Sequence, residues 1–240
     1  MSFRLSSSLD GDDIRRKFEQ QGIAHIESVL PDENARRIRK ALLESTPWNT
    51  VFNDRDKHVD LTDATLQAMP ADQAARLRDA IYAQASSGFQ YLYNNYPVYD
   101  AWKSGINKDH VLHQFYEWIN GEEFLGFARA VTGYDDISYV DAQATRYRPG
   151  HFLTSHDDSQ EGKNRRAAYI FNFTTDWRAD WGGYLQLLDE AGHVRRGIKP
   201  TFNALTVLAV PQQHNVSFVA PFAAGMRFAV SGWLRYGGAG

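Results

Sequence analysis

The 240-residue chain contains no cysteine. Disulfides, thiolate metal sites and cysteine nucleophiles are thereby excluded, and any metal must rest on nitrogen and oxygen ligands. Long apolar runs are missing as well. No stretch approaches the roughly 18 residues that a bilayer-spanning helix needs, and residues 1–17 hold no apolar core of a secretory signal. These absences lead us to expect a soluble, cytoplasmic protein with no membrane partner. Nor is there an excess of charge: a formal net charge of −3 and a pI near 6.2 supply no basic field to hold a nucleic-acid backbone, so nucleic acid is not an expected partner. Internal repeats, low-complexity tracts and a convincing linker are also lacking. With 43% hydrophobic residues there is enough material for a sizeable core, and a single domain spanning 1–240 is expected.

What is present changes texture near Gly133. Before it the pattern is helical. Asp10 or Asp12 can cap a segment that stops at Gly22, and Pro31 suits the first turn of another. Residues 70–95 carry Ala, Leu, Arg and Gln at helical spacing, and 110–131 form a further apolar-periodic stretch closed by Gly133. After it come about eight short runs rich in Val, Tyr, Phe and Thr, separated by Pro, Gly and Asp. They fall near 137–148, 152–157, 167–174, 183–188, 194–198, 204–210, 215–219 and 227–236. The expectation is an α+β protein in which 1–136 is mainly helical support and 137–236 is a sandwich or barrel.

The chemistry lies in the second half. His156 and Asp158 sit two apart near the end of an expected strand, so alternation sends both side chains to one face. Asp157 points the other way and is expected to be a supporting or surface carboxylate. His214 follows His156 by 58 residues, at the start of another strand. Two histidines and one carboxylate on one face make the facial triad of non-haem iron(II), with octahedral positions left open. An H-x-D step alone is common and says little. Arg227, 13 residues after His214 and opening the last strand, adds weight. A buried arginine is costly unless it meets an anion, and its planar fork matches a carboxylate. By alternation Ser231 shares the face of Arg227.

In order and spacing these residues resemble the prolyl-hydroxylase-like, iron(II)- and 2-oxoglutarate-dependent oxygenases, and within them most the group containing the ribosomal prolyl hydroxylases. The resemblance runs from about Tyr147 to Trp233. It rests on the segment from Tyr147-Arg148-Pro149-Gly150 to His156-Asp157-Asp158, then Arg165-Arg166, Asp176-Trp177, Gly182-Gly183-Tyr184-Leu185, His214, Arg227 and Gly232-Trp233. It implies a double-stranded β-helix, jelly-roll or cupin-like, braced by the N-terminal helices. It also implies that His156, Asp158 and His214 bind iron(II), that Arg227 grips the distal carboxylate of 2-oxoglutarate, and that Tyr147 hydrogen-bonds the same co-substrate. Dioxygen would be the oxidant and ascorbate the accessory reductant. One departure stands out: Asn172 falls where many relatives carry a tyrosine that touches the distal carboxylate, and an amide reaches less far.

The resemblance points to hydroxylation of a prolyl residue in a protein, with ribosomal or translation proteins as partners. The same chemistry on a free amino acid or other small metabolite, a sandwich that binds without catalysing, and a zinc hydrolase using the same ligands remain alternatives. Two further segments bear on the substrate. Residues 48–61, with Asn53, Asp54, Arg55, Asp56 and Lys57, read as a mobile polar loop or a solvated connector. The aromatic run 89–96 reads as helix packing or as the lining of a groove.

Overall fold

A computed structural model describes residues 2–238. The chain runs α1 (Gly11–Gln21), β1 (Ile23–Glu27), α2 (Asp32–Glu44), β2 (Asn49–Asp54), β3 (Lys57–Thr62), α3 (Asp63–Gln67), α4 (Ala71–Ala85), β4 (Tyr91–Tyr96), α5 (Val98–Lys103), α6 (Val111–Ile119) and α7 (Glu122–Thr132). It continues with β5 (Ile137–Val140), β6 (Gln143–Tyr147), β7 (Phe152–His156), β8 (Arg165–Asn172), β9 (Leu185–Leu188), β10 (Val194–Ile198), β11 (Ala204–Ala209), β12 (His214–Val216) and β13 (Arg227–Tyr236). Caps fix the helix ends as the sequence suggests. Asp10 accepts the N–H of Asp13 at the start of α1, and Gly22 and Gly133 end α1 and α7 in the left-handed conformation.

All strand pairs are antiparallel, and the sheet curls into the expected double-stranded β-helix. One side has the order β1-β11-β8-β13-β6 and the other β7-β12-β9-β10. β4 links them, pairing through Asn94–Tyr96 with β6 and through Tyr91 and Leu92 with β7. The first side is covered by helices. Ala167, Tyr169 and Phe171 of β8 and Phe228, Val230 and Leu234 of β13 pack into one apolar cluster with α1, α2, α6 and α7. Phe115 of α6 meets Phe171 edge to face at 5.1 Å. Alternate residues of the same strands therefore face the interior of the curl.

Three expectations are corrected. The helix drawn over 70–95 stops at Ala85, because Ser86-Ser87-Gly88 breaks it and the tyrosine-rich segment after it joins the sheet as β4. Residues 48–61 are neither a mobile loop nor a connector but mostly a β2–β3 hairpin, with Asp54 paired to Lys57. The charged tip dominated the sequence signal, whereas Val51 and Phe52 are core residues. Buried Gln90 ties the hairpin down, accepting from the Asn53 N–H at 2.9 Å and donating to the Asn53 carbonyl at 2.8 Å. The run expected at 137–148 is two strands. At the break Asp141 accepts the Trp233 N–H at 2.8 Å and the Arg235 guanidinium at 3.0 Å, replacing lost ladder bonds.

Between β6 and β7, His151 is buried with no partner for Nδ1. Burial, helped by the nearby Arg148 charge, pushes its imidazole down from 6.5 to about 3. The folded protein holds the neutral form and the unfolded chain accepts a proton near 6.5, so stability is lost as pH falls from 6.5 toward 3. Equilibrium unfolding of wild type and His151→Leu across this window should show the wild type falling more steeply, by up to about 1.4 kcal/mol per pH unit.

Candidate metal centre

His156 ends β7 and His214 opens β12, and the two residues are direct cross-strand partners. Their rings lie 4.1 Å apart between centroids. Each Nδ1 bonds to a backbone carbonyl two residues upstream, His156 to Thr154 at 3.0 Å and His214 to Gln212 at 2.7 Å. A carbonyl only accepts, so Nδ1 carries the proton and the Nε2 lone pair is left for a metal. Burial, and then the adjacent His214, push the His156 imidazole below its ordinary value, which favours the neutral form that a ligand requires.

Asp158 completes the group by a route that alternation does not describe. β7 has already ended, and Asp158 has φ 63°, in the left-handed region that aspartate tolerates better than most residues. Its main-chain carbonyl is held by Arg165 at 2.8 Å. The carboxylate then stands between the imidazoles, Oδ1 at 3.5 Å from His156 Nε2 and Oδ2 at 3.5 Å from His214 Nε2. These ligand atoms lie within 4.8 Å of one another, and the nitrogen, oxygen, nitrogen donor set suits iron(II). Asp157 is turned outward, its Oδ1 accepting from the N–H and hydroxyl of Ser159, as expected for a surface carboxylate.

The triad opens into a cavity of about 710 Å³ inside the curl. Tyr147, Arg227 and Ser231 line it. Arg227 is 4% exposed, has no carboxylate within ion-pair distance among the described residues, and leaves its Nε without an acceptor. Its guanidinium lies over the Tyr147 ring at 4.9 Å. Room for this arginine comes from the turn before β9: a Cβ on Gly183, at φ +66°, would meet Trp177 and Val219 at 3.2 Å and the Arg227 Cδ at 3.7 Å. Asn172 shares the cavity-facing side of β8 with Ala168 and Ile170 but is not among the lining residues, and its Oδ1 accepts the Thr174 N–H.

The cavity also holds residues outside the expected ligand set, two of which, Tyr91 and Tyr93, belong to the run 89–96 that was read as helix packing or as the lining of a groove. Tyr91, Tyr93 and Asn95 of β4 form one wall, His58 of β3 reaches over it, and Arg165 lies 3.5 Å above the Trp233 ring. The two-residue spacing of Tyr91, Tyr93 and Asn95 was the available signal, masked by a helical reading of the segment. Among the described residues, four of the seven buried side-chain atoms that lack a partner line this one cavity: Asn95 Oδ1, Arg165 Nε, Arg227 Nε and Trp233 Nε1. Such atoms are costly to bury unless something else satisfies them.

Residues 142–235 match the model of the 2OG-Fe(II) oxygenase superfamily, so this stretch is an oxygenase domain of that type, and the match implies iron(II) and 2-oxoglutarate. No curated protein matches the sequence. Solved structures with a similar fold include a prolyl-4-hydroxylase of Pseudomonas putida, 14% identical with TM-score 0.58, covering 95% of this chain and 100% of that one. A prolyl hydroxylase of Trichoplax adhaerens, in complex with a peptide of the hypoxia inducible factor oxygen degradation domain, is 13% identical with TM-score 0.62 and covers 94% and 89%. A non-heme alpha ketoglutarate dependent epimerase from nogalamycin biosynthesis is 10% identical with TM-score 0.51 and covers 92% and 80%. At these identities the likeness shows the fold. Among the described residues no helix is long and apolar enough to cross a membrane.

Because Arg165 pins the turn that presents Asp158, Arg165→Leu should weaken iron(II) or cobalt(II) binding by about 10–100-fold without removing a ligand atom. Anaerobic metal titration checks this, with Asp158→Ala expected to lose at least as much.

Proposed function

We propose that this protein is a non-haem iron(II)- and 2-oxoglutarate-dependent dioxygenase that hydroxylates a C–H bond, with a prolyl residue of a protein as the substrate. The observation that carries the reading is the pairing, in one cavity, of the His156, Asp158 and His214 group with a buried arginine that has no anion. His156 and His214 present Nε2 and Asp158 a carboxylate oxygen to the metal. Arg227 takes the distal carboxylate of 2-oxoglutarate, and the Tyr147 phenol beside it hydrogen-bonds the same molecule. Ser231 lines the wall next to them, and Asn172, on the same side of β8 as Ala168 and Ile170, has its Oδ1 engaged by the Thr174 N–H. Bound there, iron(II) supplies dioxygen activation, coupled to decarboxylation of 2-oxoglutarate to succinate and carbon dioxide and to transfer of an oxygen atom to the substrate.

The substrate side of the cavity supports a peptide. Arg165 Nε and Trp233 Nε1 are buried donors without acceptors, and main-chain carbonyls of a bound polypeptide satisfy such groups. The similar prolyl hydroxylase of Trichoplax adhaerens is in complex with a peptide. Ribosomal and translation proteins are the first partners to screen, and a cytoplasmic location suits them. The epimerase with the same fold acts in an antibiotic pathway, which keeps small molecules in the screen.

Protein supplied with iron(II), ascorbate and 2-oxoglutarate is expected to release succinate slowly without substrate and faster with prolyl peptides, and His156→Ala should abolish both. Wild-type protein that releases no succinate defeats the proposal, while stimulation by free amino acids but not peptides moves the substrate to a small molecule. Dioxygen uptake that tracks succinate separates this chemistry from zinc hydrolysis. Arg227→Leu should bind 2-oxoglutarate at least about 30-fold more weakly, given the 2–5 kcal/mol typical of truncating a buried charge pair. Its thermal stability without co-substrate should be unchanged or raised, because the charge it removes is unpaired.

A further inference from the structure

Three tyrosines stand in line along one wall of the cavity. Tyr147 and Tyr93 stack at 5.2 Å between centroids, Tyr93 and Tyr91 follow at 5.4 Å, and Tyr91 and Phe89 at 5.8 Å. Phe89, 51% exposed at the mouth, lies 5.7 Å from the His156 ring. Aromatic contact is therefore continuous from the Arg227 end of the cavity, and from His156, to the surface.

The three phenols differ in where a proton can go. Tyr147 faces the Arg227 guanidinium, which has no acceptor, and burial pushes its phenol up to about 12. Tyr93 is enclosed beside the Gln143 amide, and burial raises it further still. Tyr91 alone touches a base. Its hydroxyl is 2.6 Å from Nδ1 of His58, an exposed residue on β3 that can pass a proton to water. A phenol that loses an electron becomes a very strong acid, so oxidation is easiest where an acceptor already holds the hydrogen bond.

We propose that Tyr91 and His58 form a redox-active pair that takes up an oxidising equivalent generated in the cavity when no substrate is in place. The inference rests on the oxygenase reading for the source of the oxidant, which is dioxygen reduced at the metal with 2-oxoglutarate as co-reductant. Tyr91 gives one electron through the stacked rings to that oxidant. Its phenolic proton moves along the hydrogen bond to His58 Nδ1, leaving a neutral phenoxyl and an imidazolium. A one-electron reductant of the ascorbate class returns the electron and the proton moves back, so the pair is restored with no bond made to carbon. The hairpin that carries His58 thus does more than roof the cavity: it supplies the base that makes one of three tyrosines oxidisable.

The pair can be tested without metal. Metal-free full-length protein is exposed to a flash-generated ruthenium(III) tris-bipyridine oxidant, and the phenoxyl signal is followed by transient absorption and electron paramagnetic resonance. A long-lived phenoxyl is expected in wild type and in Tyr93→Phe and should be lost in Tyr91→Phe. In His58→Phe it should form at least about 100-fold more slowly, the smallest effect usual for removing a positioned base. His58→Gln checks that the loss comes from basicity and not from a displaced hairpin, and it should be as slow. A signal that survives Tyr91→Phe, or forms equally fast without His58, overturns the inference. In a second arm, iron-loaded protein turns over 2-oxoglutarate without substrate or ascorbate, and peptide mapping should find more oxygen added to cavity residues in Tyr91→Phe than in wild type. Equal damage overturns the protective role. A photochemical phenoxyl without any succinate in the second arm would falsify the oxygenase reading and its supply of oxidant, while leaving Tyr91–His58 as a redox pair.

Discussion

A polar, reactive cavity has to be held inside a chain whose stability comes from burying apolar surface, and the two-residue repeat of β8 and β13 is what reconciles the two. On one face these strands give Tyr169, Phe171, Phe228 and Val230 to the helices. On the other they give Ala168, Ile170, Arg227 and Ser231 to the cavity. Burying each large apolar side chain contributes about 1.5–3 kcal/mol, enough in sum to carry the cost of an unpaired arginine on the opposite face. A slip of one residue in β13 would drive Arg227 into the aromatic cluster around Phe115 and turn Phe228 into the cavity. The helices of the first half thus set the register on which the candidate site depends.

The sequence makes this division readable where periodicity is local. The eight expected strand runs fall on the strands of the curl, and alternation puts Ser231 on the face of Arg227, which the structure turns to the interior. Asp158 arrives where it was expected for a different reason: a left-handed turn pinned by Arg165, which spacing does not encode. What stayed hidden depends on pairing between distant segments. Nothing within 48–61 shows that Val51 will lie beside Tyr93, or that Gln90 will close the hairpin. For the aromatic run 89–96 the sequence left helix packing and groove lining both open, and only the pairing of β4 with β6 and β7 turns Tyr91 and Tyr93 into the cavity.

Unsatisfied polar groups are concentrated rather than scattered. Asn95, Arg165, Arg227 and Trp233 each hold a buried atom without a partner, and all four border one space. The fold has left these groups for something that arrives later. Two of them, Arg165 and Trp233, lie against each other on the metal side, and Arg227 lies with Tyr147 beside the turn at Gly183. The unpartnered groups therefore fall in two clusters within the one cavity.

β4 is the one strand that touches both halves of the curl, and it lies outside the stretch that matches the oxygenase superfamily. One wall of the cavity is consequently drawn from outside the matched stretch, while the metal-ligand group, Arg165, Arg227 and Trp233 lie within it. The β4 wall can therefore be rewritten without altering a residue of the metal-ligand group or Arg227, which is one physical route by which a single architecture hosts different chemistries.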